Sequence, residues 1–215
     1  MDRRLLDWAR AVKARRHGRT PVLWLFTDAQ RLPDPFASVS RLPRGAGVVL
    51  RDRRDADRLA RLCRARGLAL VVAGDVRLAA RLGAGLHLRD GRIPRTGRAW
   101  RKRGALLTSS AHDVASLRRA ARAGAALAFL SPVFLSASHP GLPGLGPARW
   151  ALLARRAALP VAALGGVEGR SARRLPPRYC AGAGAIGALA AEASVARKQQ
   201  CFPIAMRSDG GPLRR

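Results

Sequence analysis

Eight short segments of this chain concentrate the groups that could do chemistry. They are Thr27-Asp28, Arg51-Asp52-Arg53, Gly74-Asp75, the run from His87 to Arg92, Ser109-Ser110-Ala111-His112, the stretch FLSPVFLSASHPG (129–141), Gly165-Gly166 and Gly187. Guanidinium groups and hydroxyls donate hydrogen bonds to anionic oxygens, and glycines let backbone amides come close to them. A helix N-terminus behind such a turn adds favourable dipole charge. The chemistry these residue types share is the holding of a phosphorylated ligand. Gly165-Gly166 is the sharpest signal, because an interior apolar strand seldom ends in paired glycine unless something must approach its backbone.

Each segment follows a short apolar run of β type. PVLWLF (21–26), AGVVL (46–50), LALVV (68–72), GLHL (85–88), ALLTS (105–109), AALAFL (125–130), PVAALGG (160–166) and GAGAIGAL (182–189) read as strands. Helical patterns lie between several of them. In DADRLARLCRAR the apolar positions Ala56, Leu59, Leu62 and Cys63 recur at helical spacing, as do Val114, Leu117, Ala120 and Ala121 in DVASLRRAARAG. Asp55 and Asp113 stand where N-caps are expected, and Gly67 and Gly124 where helix ends favour left-handed geometry.

Apolar strands joined by helices imply a parallel sheet covered on both faces. Eight of them imply an α/β fold, a (β/α)8 TIM barrel, with chemistry on the loops at the C-terminal strand ends. A doubly wound open sheet would need a glycine-rich phosphate turn after its first strand, and WLFTDAQRLPD has none. Residues 1–20 read as an N-terminal helical extension, 21–196 as the barrel, and 197–215 as a flexible basic tail.

Charge and composition exclude several classes. With 41 Lys and Arg against 13 Asp and Glu, the formal charge is +28. Nearly all the cations are arginines spread along every expected helix, with Lys only at 13, 102 and 198, and no nucleic-acid motif accompanies them. The charge therefore predicts nonspecific stickiness rather than a specific nucleic-acid partner. No apolar run reaches the length of a membrane span, and MDRRLLDWARAVKARR lacks the apolar core of a secretory signal. A cytoplasmic location is expected. Cys63, Cys180 and Cys201 are odd in number and form no C-x-x-C pair, so neither a disulfide framework nor a zinc site follows. Cys63 is expected to be a buried thiol.

The ordered set LFTD, VVLRDR, GDVRLAARLGAGLHL, LLTSSAHD, LSPVFLSASHPG, VAALGGV and GAIGAL resembles the thiamine-phosphate synthase/TenI superfamily over roughly residues 21–190. The resemblance implies a Mg2+-assisted transferase of thiamine biosynthesis. Such an enzyme joins hydroxymethylpyrimidine diphosphate to a thiazole phosphate and releases pyrophosphate. It implies that Arg51 and Arg53 contact the diphosphate, that Asp75 is a magnesium carboxylate, and that Ser110 touches substrate. Ser136, Ser138 and His139 fall on the loop after strand six that holds phosphate, and Gly165, Gly166 and Gly187 on the backbone that cradles the thiazole phosphate. The small-molecule partners would be the phosphorylated pyrimidine and thiazole.

Four positions depart from the family pattern. Val49 stands for a glutamine, Gly74 for an asparagine, Arg92 for the second magnesium carboxylate, and His139 for a lysine. The TenI branch, which isomerises a thiazole carboxylate phosphate without metal, uses a histidine after strand five, and His112 matches it. A tautomerase and a non-catalytic binder of a phosphorylated heterocycle are thus the alternatives to the synthase. Simpler roles stand beside these. Asp75 also fits a helix N-cap, His87 a hydrogen-bonded barrel lining, His112 a loop residue beside a cap, and Arg51 and Arg53 ordinary solvated charge.

Overall fold

The computed structural model describes residues 1–16, 18, 20–94, 104–135 and 143–191. Its strands are Leu23–Phe26 (β1), Gly47–Leu50 (β2), Ala69–Ala73 (β3), Gly85–Leu88 (β4), Leu107–Ala111 (β5), Leu127–Leu130 (β6), Val161–Ala163 (β7) and Gly182–Ala185 (β8). Each pairs in parallel with the next, and β8 pairs with β1, closing an eight-stranded barrel. The expected TIM barrel is therefore present. Two strand ends differ from the sequence reading. β5 runs on through Ser110 and Ala111, past the expected end at Ser109. The buried Ser109 hydroxyl is satisfied there by accepting from the Gly91 amide at 2.8 Å and donating to the Ser110 carbonyl at 2.8 Å. β7 stops at Ala163, because Gly165 and Gly166 both turn to positive φ, at 88° and 64°.

The barrel interior is filled by rings from three strands. Trp24 and Phe26, two residues apart on β1, share one face. Both meet Phe129 of β6 edge-on, with centroids 5.5 and 4.9 Å away, and Phe26 meets His87 of β4 at 5.7 Å. Small residues on neighbouring strands make room. A Cβ on Gly47 would collide with the Trp24 indole, and one on Gly184 would lie 2.6 Å from the Phe26 ring. Trp24 satisfies its buried indole N–H on the Pro21 carbonyl at 2.8 Å.

The helices of the outer ring are Arg3–Ala14 (α1), Phe36–Arg41 (α2), Ala56–Arg66 (α3), Val76–Leu82 (α4), Val114–Arg122 (α5), Gly146–Arg155 (α6) and Gly169–Ala172 (α7). Asp113 caps α5 with a full capping box, and Asp75 caps α4 by accepting from the Leu78 amide. Asp55 precedes α3 as expected but makes no side-chain cap bond; its own backbone is left-handed, with φ 52°. Gly67 and Gly124 take positive φ at helix ends, as expected. Cys63 is buried, and burial pushes its thiol up to about 12.

The N-terminal extension is helical, as expected, and it packs on the barrel. After β8 the described chain makes only a 3-10 turn, Gly187–Leu189. Helix α1 packs against α7 and β8, with Leu5, Ala9 and Val12 buried at helical spacing. Asp2 fixes its start. Its Oδ1 accepts from the Leu5 amide at 3.2 Å, capping α1, and its Oδ2 accepts from the Gly169 amide at the start of α7. The Asp2 amide donates to the Ala188 carbonyl at 2.8 Å. The expected tail, 197–215, lies outside the described residues. Among the described residues no helix is long and apolar enough to cross a membrane.

Because one carboxylate serves two helix starts, Asp2→Ala should cost about 2 kcal/mol in urea unfolding, roughly twice an ordinary cap. Asp7→Ala, which removes only an exposed pair with Arg10, should change stability by less than about 0.5 kcal/mol.

Candidate active site at the barrel mouth

The loops after β1, β2 and β3 form one charged group at the C-terminal end of the barrel. At the end of β2 the Arg51 amide donates to the Thr27 hydroxyl at 2.8 Å, tying loop two to loop one. The Arg51 guanidinium lies 3.5 Å from the Asp28 carboxylate. Asp28 is held on its own loop by the amides of Gln30 and Arg31 and by the Arg31 side chain. Partial burial works against its charge, but the Arg31 amide and guanidinium, the Gln30 amide and the Arg51 charge outweigh it and hold its carboxyl below the usual range.

Arg53, two residues on, reaches the opposite way, and its Nη2 lies 2.9 Å from Asp75 Oδ2. The other Asp75 oxygen accepts from the Leu78 amide at 2.9 Å. Both oxygens are thus engaged, so the helix-cap reading of Asp75 holds. Gly74, before it, has φ 70°, and nothing crowds its Cβ position. Glycine suits this place for its conformation, which asparagine, the family residue, also tolerates.

His87 lies beneath this group. It is 8% exposed, and its Nδ1 is 2.9 Å from the Thr108 hydroxyl. Burial first, and then the Arg51 charge, push its value down to about 3. It is a neutral barrel-lining histidine, as its place in an apolar strand suggested.

A second group joins the loops after β4, β5 and β6. Ser110 on β5 accepts from the Asp90 amide at 3.0 Å and faces the Asp90 carboxylate at 3.4 Å. The Asp90 backbone is left-handed, with φ 52°, and its carbonyl accepts from Arg119 Nε at 2.8 Å. Beside it stands His112. The Nδ1 of His112 is 2.8 Å from the Ser131 carbonyl, an acceptor only, so Nδ1 carries a proton. Its Nε2, on a half-exposed ring, is 3.6 Å from Asp90 Oδ1. Such a ring can exchange a proton through Nε2 while its orientation stays fixed. Asp90 was not singled out from the sequence, and the Asp-Gly pair directly after β4 was the available signal.

Gly165 and Gly166 have a close neighbour, and it is protein. A Cβ on Gly165 would lie 2.8 Å from Pro132 Cα, and one on Gly166 would strike the Leu135 carbonyl. The loop after β6 is hydrogen-bonded onto them, with the Val133 amide on the Leu164 carbonyl and the Phe134 amide on the Gly165 carbonyl. Among the described residues the amides of Gly165 and Gly166 donate to no acceptor. Gly187 begins the turn after β8 and is exposed. Ser136, Ser138 and His139 lie outside the described residues. The structure brings Arg53 to Asp75 and, through Asp90, Ser110 to His112; among the described residues these two groups share no hydrogen bond or ion pair.

These residues do not fit a resident Mg2+. Asp75 has both oxygens engaged, and an arginine, Arg92, stands at the second carboxylate position. Among the described residues no three His, Cys, Asp or Glu side chains converge on a metal-sized site.

The buried histidine gives a pH signature. The folded chain keeps His87 neutral down to about 3, whereas an unfolded imidazole titrates near its ordinary 6.5. Between those values the unfolded state binds the extra proton, so this contribution to stability is complete above about pH 6.5 and is lost progressively below it. In His87→Leu the Thr108 hydroxyl loses its partner, which should cost about 1–3 kcal/mol near neutral pH. Denaturant titrations across the acid range should then show a flatter pH dependence than in the parent protein.

Comparison with known proteins agrees with this architecture. The family model described as thiamine monophosphate synthase (TMP-TENI) matches residues 51–189. Thiamine phosphate pyrophosphorylase from Pyrococcus furiosus is similar at 19% identity and TM-score 0.65, over 79% of this chain and 87% of that one. FabK from Thermotoga maritima superposes at TM-score 0.61 with 13% identity, over 86% and 61% of the two chains. The YdjI aldolase from Escherichia coli K12 superposes at TM-score 0.54 with 9% identity, over 84% and 80%. At these identities the solved structures speak for the barrel alone. The family match spans more than half the chain and includes β3 to β8, and on that ground the chain belongs to the thiamine monophosphate synthase/TenI family.

Proposed function

We propose that the chain is a thiamine-phosphate synthase-like transferase that binds a pyrimidine diphosphate and a thiazole phosphate at the barrel mouth and joins them. The observation that carries this reading is the loop after β2. It presents Arg51 and Arg53 at the C-terminal barrel end, where they face only carboxylates of neighbouring loops among the described residues. In the reaction the bond between the pyrimidine methylene carbon and the diphosphate oxygen breaks with both electrons leaving on oxygen. A new bond then forms from the thiazole to that carbon. Charge grows on the departing diphosphate, and the two guanidinium groups of this loop, once turned from their carboxylates, stabilise it. The amides of Gly165 and Gly166, which have no acceptor among the described residues, would supply donors for the second, smaller phosphate.

Incubation with both phosphorylated precursors, followed by chromatography for thiamine phosphate, tests the reading. Product should form, and Arg51→Ala should lower kcat/KM about 10²-fold, the usual effect of removing one donor to a developing anion. Absence of product at every Mg2+ concentration, zero included, would count decisively against a transferase.

One observation favours a second reading. His112 has a fixed Nδ1 proton and an Nε2 at the mouth, which supports proton transfer on a thiazole carboxylate phosphate, a TenI-like isomerisation. If that is the reaction, His112→Gln should slow isomerisation by about 10²-fold or more. Unchanged isomerisation in the variant would exclude His112 as its catalyst.

A further inference from the structure

We propose that the mouth binds the diphosphate of its ligand without a divalent metal, Arg51 and Arg53 exchanging their resting partners Asp28 and Asp75 for phosphate oxygens. This inference rests on the transferase reading above and specifies how its anion is held.

The two arginines belong to one loop but rest on different neighbours, Arg51 on Asp28 of loop one and Arg53 on Asp75 of loop three. Their side chains are 46% and 81% exposed, so both can move without repacking. Solvent screens these exposed guanidinium groups even though their carboxylate partners are largely buried, whereas a guanidinium on a diphosphate gains bidentate, charge-assisted bonds to a more highly charged partner. Neither carboxylate is stranded by the exchange. Asp28 keeps the amides of Gln30 and Arg31, and Asp75 keeps the Leu78 amide.

The surrounding sequence favours an anion over a cation. Among the described residues that follow β4, Arg89 and Arg92 flank a single carboxylate, Asp90. That carboxylate is turned onto Ser110 and His112. A Mg2+ ion commonly draws on one or two carboxylates together with its substrate's phosphates. At this mouth one candidate carboxylate, Asp75, keeps one oxygen committed to the cap of α4, and the other position holds Arg92, which repels a cation.

Calorimetry with inorganic pyrophosphate, in EDTA and in excess Mg2+, tests the proposal on the full chain. Binding in EDTA should be as tight as in Mg2+ or tighter, because the complexed anion carries less charge. Arg53→Gln should weaken it about tenfold or more in both buffers, the effect of losing a hydrogen bond to a charged group. Asp75→Asn keeps a helix-capping residue and should leave binding unchanged or tighter, since it releases Arg53. Electron paramagnetic resonance should detect no Mn2+ held by the ligand-free protein. Pyrophosphate binding tightened more than about tenfold by Mg2+, with the gain lost in Asp75→Asn, would overturn the metal-free site and leave the transferase reading standing. No binding of pyrophosphate in either buffer, with an unchanged circular dichroism spectrum, would overturn both.

Discussion

The filling of the barrel interior is the constraint on which the other features depend. Protein interiors tolerate neither voids nor overlap, and this barrel carries three large aromatic rings and an imidazole on only three of its strands. Gly47 and Gly184 balance them, each leaving the volume a ring occupies. This pairing of large and small residues fixes how adjacent strands sit, and strand ends fix where loops begin. His87 is the polar member of the pile, and it belongs to the core and to the mouth together. Thr108 satisfies one of its nitrogens, and the nearby Arg51 charge opposes its protonation. A charged floor beneath the cations of loop two would work against their hold on an anion only if it were negative. A neutral imidazole leaves their field intact.

Above that floor the carboxylates are occupied in particular ways. Asp28 and Asp75 each order their own loop through backbone amides and each neutralise an arginine, so the mouth is organised before any ligand arrives. Such organisation lowers the entropy cost of binding. The other half of the mouth uses neutral bonds instead. Ser109 and Ser110 secure loop four, and the Ser131 carbonyl orients His112.

Much of this was legible in the sequence because it is local. Strands appear as apolar runs, and the caps at Asp75 and Asp113 follow from an acidic residue before a helical pattern. Asp55 has the same local signature and does not cap, because its φ of 52° is a property of the turn and not of the residue type. β5 extends past Ser109 through a second hydroxyl, where an apolar run is expected to end; the partner of Ser110 is Asp90, 20 residues away. The docking of α1 on the barrel is invisible in the sequence for a similar reason. Its partners, α7 and the turn after β8, come more than 160 residues later. Gly165-Gly166 was rightly marked as a place of close approach, but the approaching group is the loop after β6. The glycine signal is steric, and sterics do not distinguish a ligand from a neighbouring loop.

The departures from the family pattern become intelligible once conformation and side-chain chemistry are separated. Gly74 preserves the left-handed backbone that an asparagine could also adopt, so the turn before α4 survives while the amide side chain is gone. Around loop four the change is chemical. The position expected to carry a carboxylate holds Arg92, and a carboxylate stands two residues earlier, as Asp90, where the backbone turns left-handed into Gly91. That shift changes what the group can reach. Asp90 meets Ser110 and His112, and so serves the half of the mouth suited to moving protons rather than the half that holds cationic side chains for an anion. The two halves are therefore specialised by charge. Arginines flank the first half, and the one carboxylate of loop four lies beside the histidine. A family site that relied on carboxylates around a cation can become one that relies on guanidinium groups around an anion through substitutions of this kind, without any change in the barrel that supports it.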